Sequence, residues 1–478
     1  MSQVARSFAW SAVERFSVQG ISFLLSIIIA RIVSPSSYGL IVMVQIFLSF
    51  SQLFIDSGFS NALIQKKDSD ETDFCTVFFF NLGVAVGLYL ILFFLAPLIA
   101  KFYEEPRLTS VTRIISLNLI LSSLSIVQKT RLTINLDFKT QTRAGLIAVI
   151  ISGTIGVICA YKGLEVWALV IQGVVNQFII SVALMFFAKW WPKPIFSIQS
   201  FKRLFGFGSK LMLANILSSL YINLTNLVIG KKYTSADLAL YNRGFNLSQF
   251  PSTNLSDVLN RVIYPVIVRV QDDIEALRKE YLKYLHLSYY IILPLMGLLL
   301  VLASPLIEVL LTEKWMGAVP YLQIFCLNFM FYPLMLQSGN PVAALGHSGI
   351  LLKAQVVKRI ISFAILLITL TISIPAVCWG ILFSSAFETF VNVFICRKEI
   401  RVGFRVHLKT LLDVVLSVAI ISIVVFFFIK LFENPLLKVI TGGILGITLY
   451  ILTTWIFNIR EKEYLIQIIT KGKSCIKR

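Results

Sequence analysis

The chain alternates between long apolar runs and short polar connections. Apolar stretches bounded by charge or by Pro and Gly fall at 8–31, 37–58, 74–100, 108–128, 143–161, 165–188, 206–230, 236–265, 283–304, 318–338, 351–372, 375–396, 408–430 and 436–457. A helix of about 20 apolar residues crosses a hydrocarbon core about 30 Å thick. The pattern therefore predicts an all-α integral membrane protein with about fourteen transmembrane helices. No connection is long enough for an independent water-soluble domain, so function must rest on the membrane helices and their loops.

Within four of these stretches the polar residues recur at helical spacing. Ser11, Arg15, Gln19, Ser22 and Ser26 share one face of the first, and Gln45, Ser49, Gln52 and Asp56 one face of the second. Asn215, Ser219 and Asn226 mark the seventh. Asn242, Asn246, Gln249, Thr253, Ser256 and Asn260 run along the eighth, flanked by Arg243 and Asp257. Polar side chains are costly in a bilayer. One such stripe fits hydrogen bonding between helices, whereas four of them, with charges among them, point to the walls of a hydrated cavity. An offset of 200 lays Leu24–Leu40 over Leu224–Leu240, pairing Ser34 with Thr234 and Leu40 with Leu240. The two copies enter the membrane in the same sense. This predicts two parallel six-helix lobes, 1–195 and 196–404, around a central cavity, followed by two additional helices and a basic tail, 405–478.

Composition agrees with the pattern. The 478 residues are 57% apolar and 14% charged, with a mean hydropathy of +0.83, against about 45–50% and 25% in soluble domains. A soluble enzyme is excluded. The net charge of +19 comes from 43 Lys and Arg against 24 Asp and Glu. These bases concentrate in alternate loops, with Lys129, Arg131, Lys139 and Arg143 in one and Lys189, Lys193, Lys202 and Arg203 in another. Such loops are expected to face anionic lipid on the cytoplasmic side, which places both termini in the cytoplasm and removes any need for nucleic acid. The first apolar run, interrupted by Glu14 and Arg15, has no cleavage site and is expected to stay in the mature chain.

No catalytic chemistry is legible. The six scattered cysteines form neither a disulfide framework nor a zinc site, and no metal site or cofactor is expected. His286, His347 and His407 lie near cytoplasmic loops, where a solvated or interfacial place is expected. There is no Walker A loop, no HExxH and no GxSxG. Any energy must come from an H⁺ or Na⁺ gradient or from the gradient of the substrate. Arg15 and Arg243 suit a phosphate or diphosphate, or pair with Glu14, Asp56 or Asp257. Glu14, Asp56, Asp257 and Glu388 are the carboxylate candidates for ion coupling, and Glu388, with Ser384, Ser385 and Asn392 near its face, also suits a structural hydrogen bond. Pro251 marks a hinge or a packing kink in the eighth stretch.

The junction Ala30-Arg-Ile-Val-Ser-Pro-Ser-Ser-Tyr-Gly39 resembles the ARxLxPxxYG junction of Wzx-like bacterial polysaccharide flippases. Phe205-Gly-Phe-Gly-Ser-Lys210, Leu240-Tyr-Asn-Arg-Gly244, Ser248-Gln-Phe-Pro251 and Arg261-Val-Ile-Tyr-Pro265 are similar to segments of the lipopolysaccharide and exopolysaccharide exporter branch. Ser36-Ser37 departs from the pattern, since members often carry an acid there. The resemblance implies the multidrug/oligosaccharidyl-lipid/polysaccharide exporter fold. It also implies an undecaprenyl-diphosphate-linked oligosaccharide as substrate, moved to the outer leaflet of the bacterial inner membrane. On that implication Arg15 and Arg243 meet the diphosphate, while Gln19, Gln45, Gln52, Asn215, Asn242, Asn246 and Gln249 solvate sugar hydroxyls. Membrane lipids, a polysaccharide polymerase and glycosyltransferases become the candidate partners. Two rivals stand beside this reading: a MATE-like ion-coupled drug or cation antiporter, and an intramembrane polysaccharide polymerase or ligase.

Overall fold

The computed structural model describes residues 3–56, 58–66 and 68–456, and among them every regular element is a helix. The chain divides into two compact units, Met1–Ala239 and Leu240–Arg478.

The first unit holds α1 (Gln3–Ile32), α2 (Pro35–Asp56), α3 (Phe59–Gln65), α4 (Glu71–Tyr103), α5 (Leu108–Ile115), α6 (Leu117–Ile134), α7 (Phe138–Tyr161), α8 (Val166–Phe187) and α9 (Ile198–Lys232). α7 lies against both α1 and α8. Two glycines permit it. A Cβ on Gly153 would sit 2.1 Å from Leu25 Cδ1, and one on Gly156 would sit 2.9 Å from Gln172 Cβ. Small residues let helix backbones approach where the surroundings give no hydrophobic drive to associate.

α4 starts in a capping box: the Asp73 N–H donates to Asp70 Oδ1 at 2.8 Å, and the Asp70 N–H donates to Asp73 Oδ2 at 3.2 Å. The fully buried Asp73 also pairs with Lys66 and receives Arg203 Nη2 at 2.9 Å, which ties the start of α9 to the start of α4. Nearby, Trp190 Nε1 donates to Glu71 Oε1 at 2.7 Å, and Arg131 lies over the rings of Phe74 and Trp190, 5.1 and 5.2 Å from their centres. Arg131 was expected to face lipid. Glu71 and two aromatic faces hold it instead.

The second unit holds most of α10 (Ser235–Arg269), then α11 (Ile274–Val301), α12 (Ala303–Leu311), a 3₁₀ turn (Glu313–Ala318), α13 (Val319–Met330), α14 (Tyr332–Gln337), α15 (Gly339–Ala344), α16 (Ser348–Ile372), α17 (Ile374–Ile400), α18 (Phe404–Ile429) and α19 (Pro435–Ile456). α16 pairs with α17, and α18 and α19 pack onto α11 and α12. The Tyr281 hydroxyl, 2.8 Å from His407 Nε2, and the Tyr450 hydroxyl, donating to the Tyr290 carbonyl at 2.8 Å, fix that packing. His407 is therefore 2% exposed, and His286 is also buried, unlike the solvated histidines expected. The fold brings the first turn of α18 onto α11, and Gly403 O lies 3.0 Å from the other ring nitrogen.

Eleven helical stretches among the described residues are long and apolar enough to cross a membrane, and α1 adds a shorter apolar segment, Ser17–Ile32. The exterior is apolar: Phe94, Leu98, Ile368, Phe383, Ile420 and Ile444 are between 61% and 73% exposed. Such a surface suits lipid, and helices suit lipid because they satisfy their own backbone.

Candidate functional site

α2 carries the second polar stripe into the first unit, and its start is held from two sides. Ser34 Oγ and Ser37 Oγ each donate to Glu165 Oε2 at 2.8 Å. The acid missing at Ser36-Ser37 thus reaches the junction from the start of α8. On the other side, a Cβ on Gly39 would sit 1.7 Å from the Ser235 carbonyl oxygen. Only glycine fits the Tyr-Gly of the junction.

Below this anchorage the stripe opens onto two cavities. One, of about 420 Å³, is lined by Gln45, Ser49 and Gln52 of α2, Asn118 and Ser122 of α6, and Gly173 and Gln177 of α8. The other, of about 370 Å³, is lined by Gln52, Asp56, Ser60, Lys129, Thr130 and Thr133 together with Gly58 and Met212. Gln52 and Leu53 belong to both. Ser122 Oγ donates to Gln52 Oε1 at 2.9 Å, and Ser60 Oγ donates to Asp56 Oδ1 at 2.5 Å. Asn118 Oδ1 is buried and accepts no hydrogen bond among the described residues. Amides and hydroxyls of this kind offer both donors and acceptors without fixed charge. Lys129 and Asp56, one of each sign, share the second cavity.

The structure therefore brings Gln45, Gln52 and Asp56 to one wall, with Gln19 exposed on α1. Glu14, Arg15 and Asn215 lie outside the residues whose side chains are described. In the second unit, Asn242, Arg243, Asn246 and Gln249 follow one another along α10. Arg243 lies over the fully buried Trp315 ring, 4.9 Å from its centre. Asp257 is half-buried on the same helix, where Asn260 Oδ1 accepts from Asn340 Nδ2 at 2.6 Å. Glu388 is 7% exposed on α17.

Sequence reasoning missed Asn118, Ser122 and Gln177, whose only signal is the four-residue step from Asn118 to Ser122 and from Gly173 to Gln177. It also put Lys129 on the lipid side with its loop, whereas Lys129 lies within α6 and lines the second cavity.

The family described as polysaccharide biosynthesis protein matches residues 28–320. The chain belongs to that family. Among its relatives, the lipopolysaccharide biosynthesis protein WzxC of Escherichia coli K12 is 24% identical over 373 residues, 78% of this chain and 74% of that protein. The teichuronic acid biosynthesis protein TuaB of Bacillus subtilis 168 is 24% identical over 303 residues, 63% and 62% of the two chains. The lipid II flippase MurJ in an inward closed conformation superposes with a TM-score of 0.78 at 14% identity, covering 95% of this chain and 99% of that one. An inward-facing MATE multidrug transporter gives 0.60 at 13% identity, covering 82% and 98%. This polysaccharide biosynthesis family member thus has the all-helical fold of those transporters.

Proposed function

We propose that this protein moves a lipid-linked oligosaccharide, with an undecaprenyl-diphosphate anchor, from the cytoplasmic to the outer leaflet of the bacterial inner membrane. The observation that carries the reading is the cavity wall of Gln45, Ser49, Gln52, Asn118, Ser122 and Gln177, which offers neutral donors and acceptors at membrane depth. Sugar hydroxyls both donate and accept, so such a wall suits a glycan better than a drug cation. Membership in a polysaccharide biosynthesis family supports the same substrate class.

On this reading the lobes 1–195 and 196–404 alternate in access, with 405–478 appended. Arg15 and Arg243 attend the diphosphate, because a guanidinium stays charged and matches phosphate geometry. Glu14, Asp56, Asp257 and Glu388 are the carboxylates through which H⁺ or Na⁺ couples. A polymerase and glycosyltransferases are the expected protein partners, on the outer and cytoplasmic sides respectively.

The test is trans-bilayer movement of a labelled undecaprenyl-diphosphate oligosaccharide of the native glycan in proteoliposomes, with and without pH and Na⁺ gradients. Movement that requires the protein is expected. No movement of that lipid by folded protein would overturn the reading.

A further inference from the structure

α16 carries a lysine where a membrane helix has little use for one. Lys358 is the eleventh residue of α16, about 15 Å along the axis from its start at 1.5 Å per residue, which is half the thickness of a hydrocarbon core about 30 Å deep. Its neighbours Val356, Val357 and Ile360 are 52%, 49% and 64% exposed, so an apolar exterior flanks it at this depth. Lys358 itself is 6% exposed and turned inward.

Inside, Lys358 Nζ donates to Asn392 Oδ1 at 3.0 Å, and Asn392 Nδ2 donates onward to the Met335 carbonyl at 3.3 Å. One turn before Asn392, Glu388 accepts from Ser362 Oγ at 3.4 Å and lies 3.8 Å from Arg359 Nη1. The charged groups that face Lys358 are thus Glu388, from α17, and its own neighbour Arg359. α15, which also packs on α16, has no ionisable residue.

The charges do not balance when all three groups are ionised. Arginine keeps its proton in proteins, and the ion pair formed here is Glu388 with Arg359. The hydrogen bond of Lys358 goes to a neutral amide, and the one carboxylate near it is shared with Arg359. A buried charge without an ionic partner is expensive, and lysine, unlike arginine, escapes the cost by giving up its proton. With Lys358 as a neutral amine the cluster is electroneutral.

We propose that Lys358 is a proton-binding site of the second unit, taking and releasing one proton during transport while Glu388 stays matched to Arg359. The inference rests on the transport reading above, and it names the proton as a coupling ion. It also changes the part of Glu388, from ion carrier to fixed counter-charge. Binding is simple addition: the amine lone pair takes H⁺ to give the ammonium, with Asn392 Oδ1 accepting one of its N–H bonds.

A readout independent of transport comes first. The protein with ¹⁵N-labelled lysine side chains in lipid nanodiscs is titrated by NMR, and the Lys358 signal is assigned by its loss in Lys358→Gln, which keeps a donor for Asn392. A Lys358 signal that passes between ammonium and amine forms at a pH where the surface lysines stay ammonium is expected. A signal that stays ammonium wherever the surface lysines do would overturn the proposal. In proteoliposomes, Lys358→Arg, which cannot release its proton, is expected to lose the response of lipid movement to a pH gradient. An undiminished response in folded Lys358→Arg would equally overturn it. If the unmodified protein moves no lipid at all, the transport reading fails, while the NMR titration still decides whether Lys358 binds a proton.

Discussion

At the scale of the residue, close approach and cavity lining make different demands. Gly39 gives its place to the Ser235 carbonyl, 1.7 Å from where a Cβ would stand. Gly39→Ala is expected to cost about 1–3 kcal/mol, the usual range for overpacking, and to lower the melting temperature in detergent. Gly20→Ala is the control, because a Cβ there meets nothing within 4 Å and alanine favours a helix. Equal melting temperatures for the two variants would remove the close-approach explanation. Gln52 faces both cavities and accepts from Ser122. Gln52→Leu is expected to slow glycolipid movement roughly tenfold, the loss of one hydrogen bond to a neutral group at about 1.4 kcal/mol, with protein abundance unchanged. Normal movement in that variant would take the glycan off this wall. The glycine of the junction is visible in the sequence, but its reason is not, since Ser235 meets it only through the fold. The amide stripe of α2 is visible together with its reason, because helical phase alone sets it on one face.

At the scale of the element, the packing of α3, α4 and α9 hangs on one carboxylate. Asp73 caps its own helix and holds Lys66 and Arg203. Asp73→Asn keeps the cap acceptor but leaves two cations without their carboxylate. Because Lys66 and Arg203 are partly exposed, at 23% and 58%, water takes up some of the loss, and a destabilisation of about 1–3 kcal/mol is expected. The effect should be local as well: limited proteolysis of the connection at 188–197, held to α4 through Trp190 and Ser197, should become faster. A cleavage pattern like that of the unmodified protein would show that the connection is held by other contacts. Periodicity reads the helices themselves well, because each must hide its backbone from lipid. It reads partners poorly. α6 and α8 give cavity residues through Asn118, Ser122 and Gln177, yet a few amides in an apolar helix look alike whether they line water or bind another helix. Arg131 and His407 differ from expectation for a related reason: loop position suggests exposure, while two aromatic rings half-cover Arg131 and His407 is buried against a tyrosine hydroxyl.

At the scale of the whole molecule, the number of crossings and the side on which the chain ends are one question. Among the described residues, eleven stretches are apolar enough to cross, and α1 adds the shorter Ser17–Ile32. The three expected spans outside that set are those in α1, α9 and α10, which carry the polar stripes holding Arg15, Asn215 and Arg243. A helix that lines water can be less apolar than one wrapped in lipid, and α10, with its stripe of Asn, Gln and Ser, is such a helix. Fourteen crossings return the C-terminus to the side of the N-terminus, whereas an odd number leaves the termini on opposite faces. The basic loops at 129–143 and 189–203 orient the chain with those segments in the cytoplasm. The expected outcome is that an N-terminal tag and Cys475 are both shielded from a membrane-impermeant thiol or protease reagent in intact cells, and both react once the inner membrane is opened. A cysteine placed at Lys162 or Lys314, in loops expected outside, should react without opening. Labelling of Cys475 from outside, with the N-terminal tag still protected, would establish an odd number of crossings and take at least one striped helix out of the set that spans the bilayer.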